Sequence, residues 1–226
     1  MKLGTPVTDW QPLADFYPET LTGSYCAVAT YKEDLHFSDL LANVDITDEN
    51  LWRYMPYGPF DSAASFRQCL AKISATENIR LMAISDAKTG RTIGFAAYLS
   101  IELVRGSVEV GHVLFSGALK KTRIASEAMY LMMNAAFNHG FRRYEWKCNN
   151  LNEASKSAAC RFGFQAEGVF RNWAVIKGYN RDTAWFSVIE DDWPTLRKAF
   201  EAWLNDNNFD AAGQQRQKLQ ASRTVI

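Results

Sequence analysis

What the sequence lacks narrows it first. Neither charge is in excess: 25 Lys and Arg balance 25 Asp and Glu over 226 residues. A neutral chain casts no strong field toward nucleic acid or an anionic membrane surface, so no nucleic-acid or membrane partner is expected. The apolar runs are too short for a membrane-spanning helix. Met1-Lys-Leu-Gly-Thr-Pro6 does not open on the apolar stretch of a secretion signal. Cysteine is scarce, and Cys26, Cys69, Cys148 and Cys160 lie far apart with no Cys-x-x-Cys pair. The expectation is free, mostly buried thiols in a cytoplasmic protein. No spacing of His, Cys and carboxylates suggests a metal site. Internal repeats and linker-like stretches are missing too, so a single domain is expected.

What is present suffices for a sizeable core, with 47% hydrophobic and 13% aromatic residues. Residues 1–22 carry prolines at 6, 12 and 18 and no periodicity, and read as an N-terminal arm. A domain is expected over 23–204 and a tail over 205–226. Strands are predicted at 25–31, 80–85, 92–101, 107–115, 143–148, 164–176 and 183–190. Helices are predicted at 33–44, 63–73, 123–139, 152–162 and 193–204. Together they describe an α/β (α+β) domain, with one mixed, mostly antiparallel sheet of about seven strands and helices on both faces.

The stretch from Ser107 to Phe164 organises the rest. Strand 107–115 runs into Ser116-Gly-Ala-Leu-Lys-Lys-Thr122, a turn with two lysines. Helix 123–139 follows and ends at Gly140, where a helix-closing glycine belongs. A helix start presents unpaired amides and a partial positive charge, which suits phosphate. Lys120, Lys121 and Arg123 add full charges there, although a solvated basic turn would look the same. After strand 143–148, Asn152-Glu-Ala-Ser155 opens a second helix. On its own, Asn152 reads as a cap and Ser155 as an ordinary first-turn serine.

Taken in order, these pieces resemble the GNAT superfamily of acyl-CoA N-acyltransferases. The most specific are Ala125-Ser-Glu-Ala128, Asn152-Glu-Ala-Ser155 and Arg161-Phe-Gly-Phe164 followed by Glu167-Gly168. The likeness covers roughly residues 22–192 and is greatest to the branch containing the ribosomal-protein-alanine N-acetyltransferases. It implies a central β-α-β unit that binds CoA, acetyl-CoA as co-substrate, no metal, and an amine acceptor attacking the thioester directly. The family's pyrophosphate loop falls on Lys120, Lys121, Thr122, Arg123, Ile124 and Ala125. Arg123 replaces the loop's middle glycine, so it must either point away or replace some of that backbone contact with a guanidinium pair to phosphate, the second being favoured here.

The same resemblance implies a wedge between strands 107–115 and 143–148, where backbone amides polarise the thioester carbonyl. A free alkyl amine is mostly protonated at neutral pH, so a base is needed. Glu109 is the first candidate and His112 the second. Three apart on one strand, they face opposite sides unless a bulge intervenes. Ser155 matches the position that serves the departing thiolate, and Asn152 would bind the pantetheine arm or orient Ser155.

The acceptor is less legible. Trp52, Tyr54, Tyr57 and Phe60 lie in a loop that borders the acceptor site in this family, and aromatic walls suit an amine. Packing the loop down on the domain would use the same residues. Arg171, Trp173, Lys177 and Arg181 could meet an acidic acceptor group or form a polar strand face. A protein N-terminus, a small amine such as an amino acid, polyamine or antibiotic, and a non-catalytic CoA- or partner-binding module all stay open. So does a homodimer.

Overall fold

The structure is a computed structural model that describes residues 4–219. The chain forms β1 (Thr20–Thr22), β2 (Cys26–Thr30), α1 (Glu33–Asn43), α2 (Glu49–Trp52), α3 (Ala63–Ser74), β3 (Arg80–Asp86) and β4 (Thr92–Glu102). It continues with β5 (Ser107–Phe115), α4 (Arg123–His139), β6 (Arg143–Asn149), α5 (Glu153–Arg161), β7 (Gln165–Ile176), β8 (Tyr179–Ile189) and α6 (Trp193–Leu204). A 3-10 turn, Asp206–Asn208, follows. One eight-stranded sheet runs in the order β1-β2-β3-β4-β5-β6-β8-β7. All pairings are antiparallel except β5 with β6.

Two elements depart from the sequence reading. The arm is not irregular to its end, because Thr20–Thr22 pairs with Ala27–Ala29 as an extra edge strand. The aromatic loop contains the short helix α2, capped by Asp48, whose carboxylate accepts from Asn50 N at 2.8 Å. The rest of the arm is tied down as well. Phe16 is buried edge-on against Tyr98 and Phe141, and the Trp10 indole donates to Val104 O at 3.1 Å.

Alternation along the strands builds two cores, one on each face. Val108, Val110, Tyr144, Trp146, Phe186 and Val188 pack under α4, α5 and α6. Leu81, Ala83, Phe95, Ala97 and Leu114 pack under α1 and α3, with Phe37, Leu40, Phe66 and Leu70 from those helices. Beyond β5 this second face has no helix over it among the described residues.

The element that seats the rest is α4. Thr122 caps it, its hydroxyl accepting from Ala125 N at 3.2 Å, and Gly140 closes it in the left-handed region at φ 106°. Glu127 is buried and accepts from the amides of Ser24, Tyr25 and Cys26 at 2.8, 2.6 and 2.7 Å. That carboxylate fixes the bend into β2 onto α4. A side chain at Gly23 would collide with it. Of the cysteines, Cys26 and Cys148 are buried as expected, whereas Cys160 is exposed; all four are free thiols.

Candidate active site

The two central parallel strands stay paired only from Ser107↔Arg143 to Val110↔Trp146. Beyond that point β5 and β6 part, and the β6-side edge of residues 111–115 faces no strand among the described residues. The parting begins at a bulge. Against β4, the register jumps from Ala97↔Gly111 to Phe95↔Leu114, and His112 adopts φ 48°. The extra residue bends β5 and re-aims the side chains beyond it. A cavity of about 1300 Å³ follows the wedge from the α2 loop to the first turn of α4 and on to residues 209–215.

Glu109 and His112 both line this cavity. Glu109 lies opposite Leu99, and His112 reaches Tyr57; both neighbours belong to the α1–α3 side of the sheet. The bulge therefore places on one side two residues that a regular strand would turn apart. Glu109 is nearly buried. Its Oε2 accepts from Lys147 Nζ at 2.9 Å and from the Ser100 hydroxyl at 3.3 Å. Burial raises its carboxyl above the ordinary 4.5, against the opposing pull of Lys147 and with the help of the Glu145 carboxylate. Lys147 is shared, since its Nζ also lies 2.9 Å from Glu145 and 3.9 Å from the centre of the Trp185 ring. Held by two carboxylates, the ammonium stays charged although burial opposes it.

His112 stacks on Tyr57 with ring centres 5.4 Å apart, and its Nδ1 shares a 2.8 Å hydrogen bond with the Tyr57 hydroxyl. Burial pushes the imidazole below 6.5, so it is neutral at neutral pH. Across the wedge, Asn152 caps α5 by accepting from Ser155 N at 3.1 Å. The Trp146 indole donates to Ser155 Oγ at 3.0 Å. The Ser155 hydroxyl also lies within hydrogen-bonding reach of the Cys148 thiol. Cys148 lies alongside, its thiol pushed up by burial and so protonated at neutral pH.

Lys120, Lys121, Thr122, Arg123, Ile124 and Ala125 all line the cavity at the α4 end. The Arg123 guanidinium turns away from the expected phosphate position. Its Nη1 donates to Tyr25 Oη at 2.6 Å and to Asp206 at 2.7 Å, and its Cζ lies 3.5 Å from the centre of the Phe209 ring. Residues 205–219, expected as a tail, supply that clasp, and Phe209, Gln214 and Gln215 close the cavity's far end. Residues 220–226 lie outside the described residues.

The four acceptor-loop aromatics divide. Tyr54 lines the cavity and its hydroxyl donates to Leu151 O at 3.1 Å. Tyr57 does not line the cavity but stacks on His112, which does. Trp52 is a core residue instead, its ring fully buried 5.0 Å from the half-buried Phe60 and 5.8 Å from Phe66, with its indole donating to Asp45 O. An indole and a phenyl ring are the largest apolar surfaces in that loop, and burying them is what fixes it. Arg181 lines the cavity. At the tip of the β7–β8 hairpin, Lys177 Nζ donates to Trp52 O at 2.8 Å, so the hairpin touches the aromatic loop. Trp173, by contrast, lies with Phe170 and Trp185 on the uncovered face of the hairpin. The sequence reading passed over Lys147 and Arg161, since neither stands in a motif position to which a role had been attached.

A sheet parted between two parallel central strands, with a basic helix start at one end of the gap, defines an acyl-CoA transferase of the GNAT type. The family model described as acetyltransferase (GNAT) domain matches residues 30–165, and the chain belongs to that family. It is similar to a GCN5-related N-acetyltransferase from Brucella melitensis, with 35% identity, 95% of this chain and 98% of that one covered, and a TM-score of 0.91. An N-acetyltransferase p20 from Bacillus licheniformis, itself uncharacterized, is 25% identical over 166 residues, covering 72% of this chain and 92% of that one. An acetyl transferase from Salmonella typhimurium, described as modifying the N-terminal serine of ribosomal protein L7/L12, shares the fold at 18% identity. That likeness covers 76% of this chain and 99% of that one, with a TM-score of 0.65. The protein is therefore a GNAT N-acetyltransferase, and enzymes of this family use acetyl-CoA as co-substrate.

Proposed function

We propose that this enzyme acetylates the free N-terminal amine of a peptide or protein, with Glu109 as the base that takes the amine's proton. The observation that carries this reading is the wedge itself. Glu109 and His112 stand at its acceptor end, beside a loop and hairpin that leave the neighbouring sheet face open to an extended chain. An α-amino group has a pKa near ~7.8, against ~10.4 for a lysine side chain. About a tenth of it is neutral at pH 7, compared with less than about a thousandth of a lysine amine. Even raised by burial, a carboxylate is a weak base beside an amine, and the acceptor that needs least deprotonation suits it best.

Acetyl-CoA supplies the activated acetyl group as a thioester. The residues present fit it. Lys120 and Lys121 carry exposed charges at the start of α4, the edge of residues 111–115 offers backbone donors, and Asn152 and Ser155 border the gap. In this reading Glu109 Oε1 receives the proton while Lys147 and Ser100 hold Oε2. His112, neutral and steadied by Tyr57, orients the amine. Ser155, polarised by Trp146, gives a hydrogen bond to the departing sulfur.

The test is a matched acceptor panel: a peptide with a free N-terminus, the same peptide blocked at the N-terminus but carrying lysine, and small amines including a polyamine. The expected result is transfer to the first alone. Equal or greater kcat/KM on a small amine would overturn the acceptor assignment.

A further inference from the structure

Resting on the acetyl-CoA reading above, one residue outside the loop motif stands out. Arg161 is the last residue of α5, half-buried, and lines the cavity at the first turn of α4. Its Nη1 donates to Ser126 Oγ at 3.1 Å. The guanidinium is held between rings, with Cζ 4.9 Å from the centre of Trp203 and 5.2 Å from that of Phe162. Ser126 is its one hydrogen-bond partner among the described residues, and no carboxylate pairs with it there. A guanidinium carries five N–H donors. A half-buried cation with most of its donors unused, facing a cavity, is a position built for an anion.

The clasp on Arg123 gives this position its purpose. Where the family's loop has glycine, this chain has an arginine whose charge is spent on Asp206 and Tyr25. The exposed Lys120 and Lys121 remain, but neither is preorganised by packing. Arg161 is, because two aromatic rings and a serine fix its plane.

We propose that Arg161 is the principal side-chain ligand of the CoA diphosphate in this enzyme, taking the place that Arg123 has vacated. Binding of the anion leaves the Arg123–Asp206 clasp closed, and the segment around Phe209 and Gln215 shields the Arg161 contact from water.

The experiment is titration calorimetry of the full chain with CoA, 3′-dephospho-CoA and pantetheine, for the native protein and for Arg161→Met and Arg161→Lys. Methionine keeps the apolar stem against Trp203, and melting curves confirm folding. A lost charge-assisted contact corresponds to roughly 10–100-fold in Kd. The expected result is a loss of that size for Arg161→Met with both CoA and 3′-dephospho-CoA, none with pantetheine, and partial recovery in Arg161→Lys. Unchanged Kd for CoA in Arg161→Met overturns the proposal, as does an equal loss for pantetheine, which would mark a structural role. A loss with CoA but not with 3′-dephospho-CoA would move the contact to the 3′-phosphate and overturn the diphosphate assignment. Native protein that binds none of the three would instead sink the acetyl-CoA reading on which this one rests.

Discussion

At the scale of single residues, the proposed chemistry turns on how Glu109 is held. Glu109 faces Lys147 and, beyond it, Glu145 on β6, with Ser100 on β4. Glu109→Gln is expected to lower kcat by roughly 10²–10⁴-fold, the usual worth of a positioned base. Native kcat should rise with pH through the raised carboxyl pKa, so its acid limb lies above 4.5. Removing the ammonium with Lys147→Met withdraws the charge that favours ionised Glu109, so the limb should move to higher pH. A pH–rate profile in which that variant's limb moves down, or stays put, would argue against Glu109 as the group titrating. Ser155→Ala should cost about tenfold in kcat with KM nearly constant, because the hydrogen bond to sulfur strengthens only as the thiolate leaves.

Between elements, a few buried polar contacts decide geometry. Glu127 ties α4 to the start of β2 through three amides. Glu127→Gln replaces a carboxylate acceptor with a group that turns two N–H donors into the same nest. The expected cost is about 3 kcal/mol, seen as a fall in Tm of roughly 6–12 °C by calorimetry. Trp52 is the corresponding apolar anchor of the α2 loop. Trp52→Ala should cost about 3–5 kcal/mol through the cavity it leaves. If Trp52 were instead an acceptor contact, the same change would raise the acceptor KM and leave the melting temperature alone. The turn joining β7 to β8 needs positive φ at both Lys177 and Gly178, 52° and 80°, the geometry that matches the twist of paired strands. It is this tight turn that brings Lys177 against Trp52.

For the molecule as a whole, the sheet has a different role on each side of β5. Across β3 and β4 both faces are covered and largely buried. From β6 to β7 one face is open, carrying the ion chain from Glu109 through Lys147, Glu145 and Arg143 to Glu167, with exposed Phe170 and Trp173 alongside. The parted strands mark the border between these halves. Buried apolar area holds the covered half rigid. In the proposed reading, an acceptor is therefore met by one fixed wall and one open one.

Much of this was legible in the order of residues. Apolar alternation set strand 107–115, and a cap, an amphipathic run and a closing glycine set helix 123–139, because these are local signals that each segment carries within itself. The strand-helix-strand order with Asn152 and Ser155 led to the acetyltransferase family for the same reason. Other features were not local. Thr20–Thr22 is too short to read as a strand and exists only because Ala27–Ala29 is there to pair with it. The bulge at His112 depends on register against β4, which no single segment encodes. Whether Trp52 faced the cavity or the core was decided by Phe60 and Phe66 closing over it. Arg123 could have met a phosphate, but Asp206, far along the chain, reached it first. Arg161 opens the Arg161-Phe-Gly-Phe164 motif, but the motif attached no role to it, and its charge matters only because packing left it facing the cavity without a carboxylate. The sequence alone determined the elements, their order and the chemistry family. The tertiary structure decided which charges are spent on one another and which face the substrate, since that depends on groups distant in the chain meeting within a few ångströms.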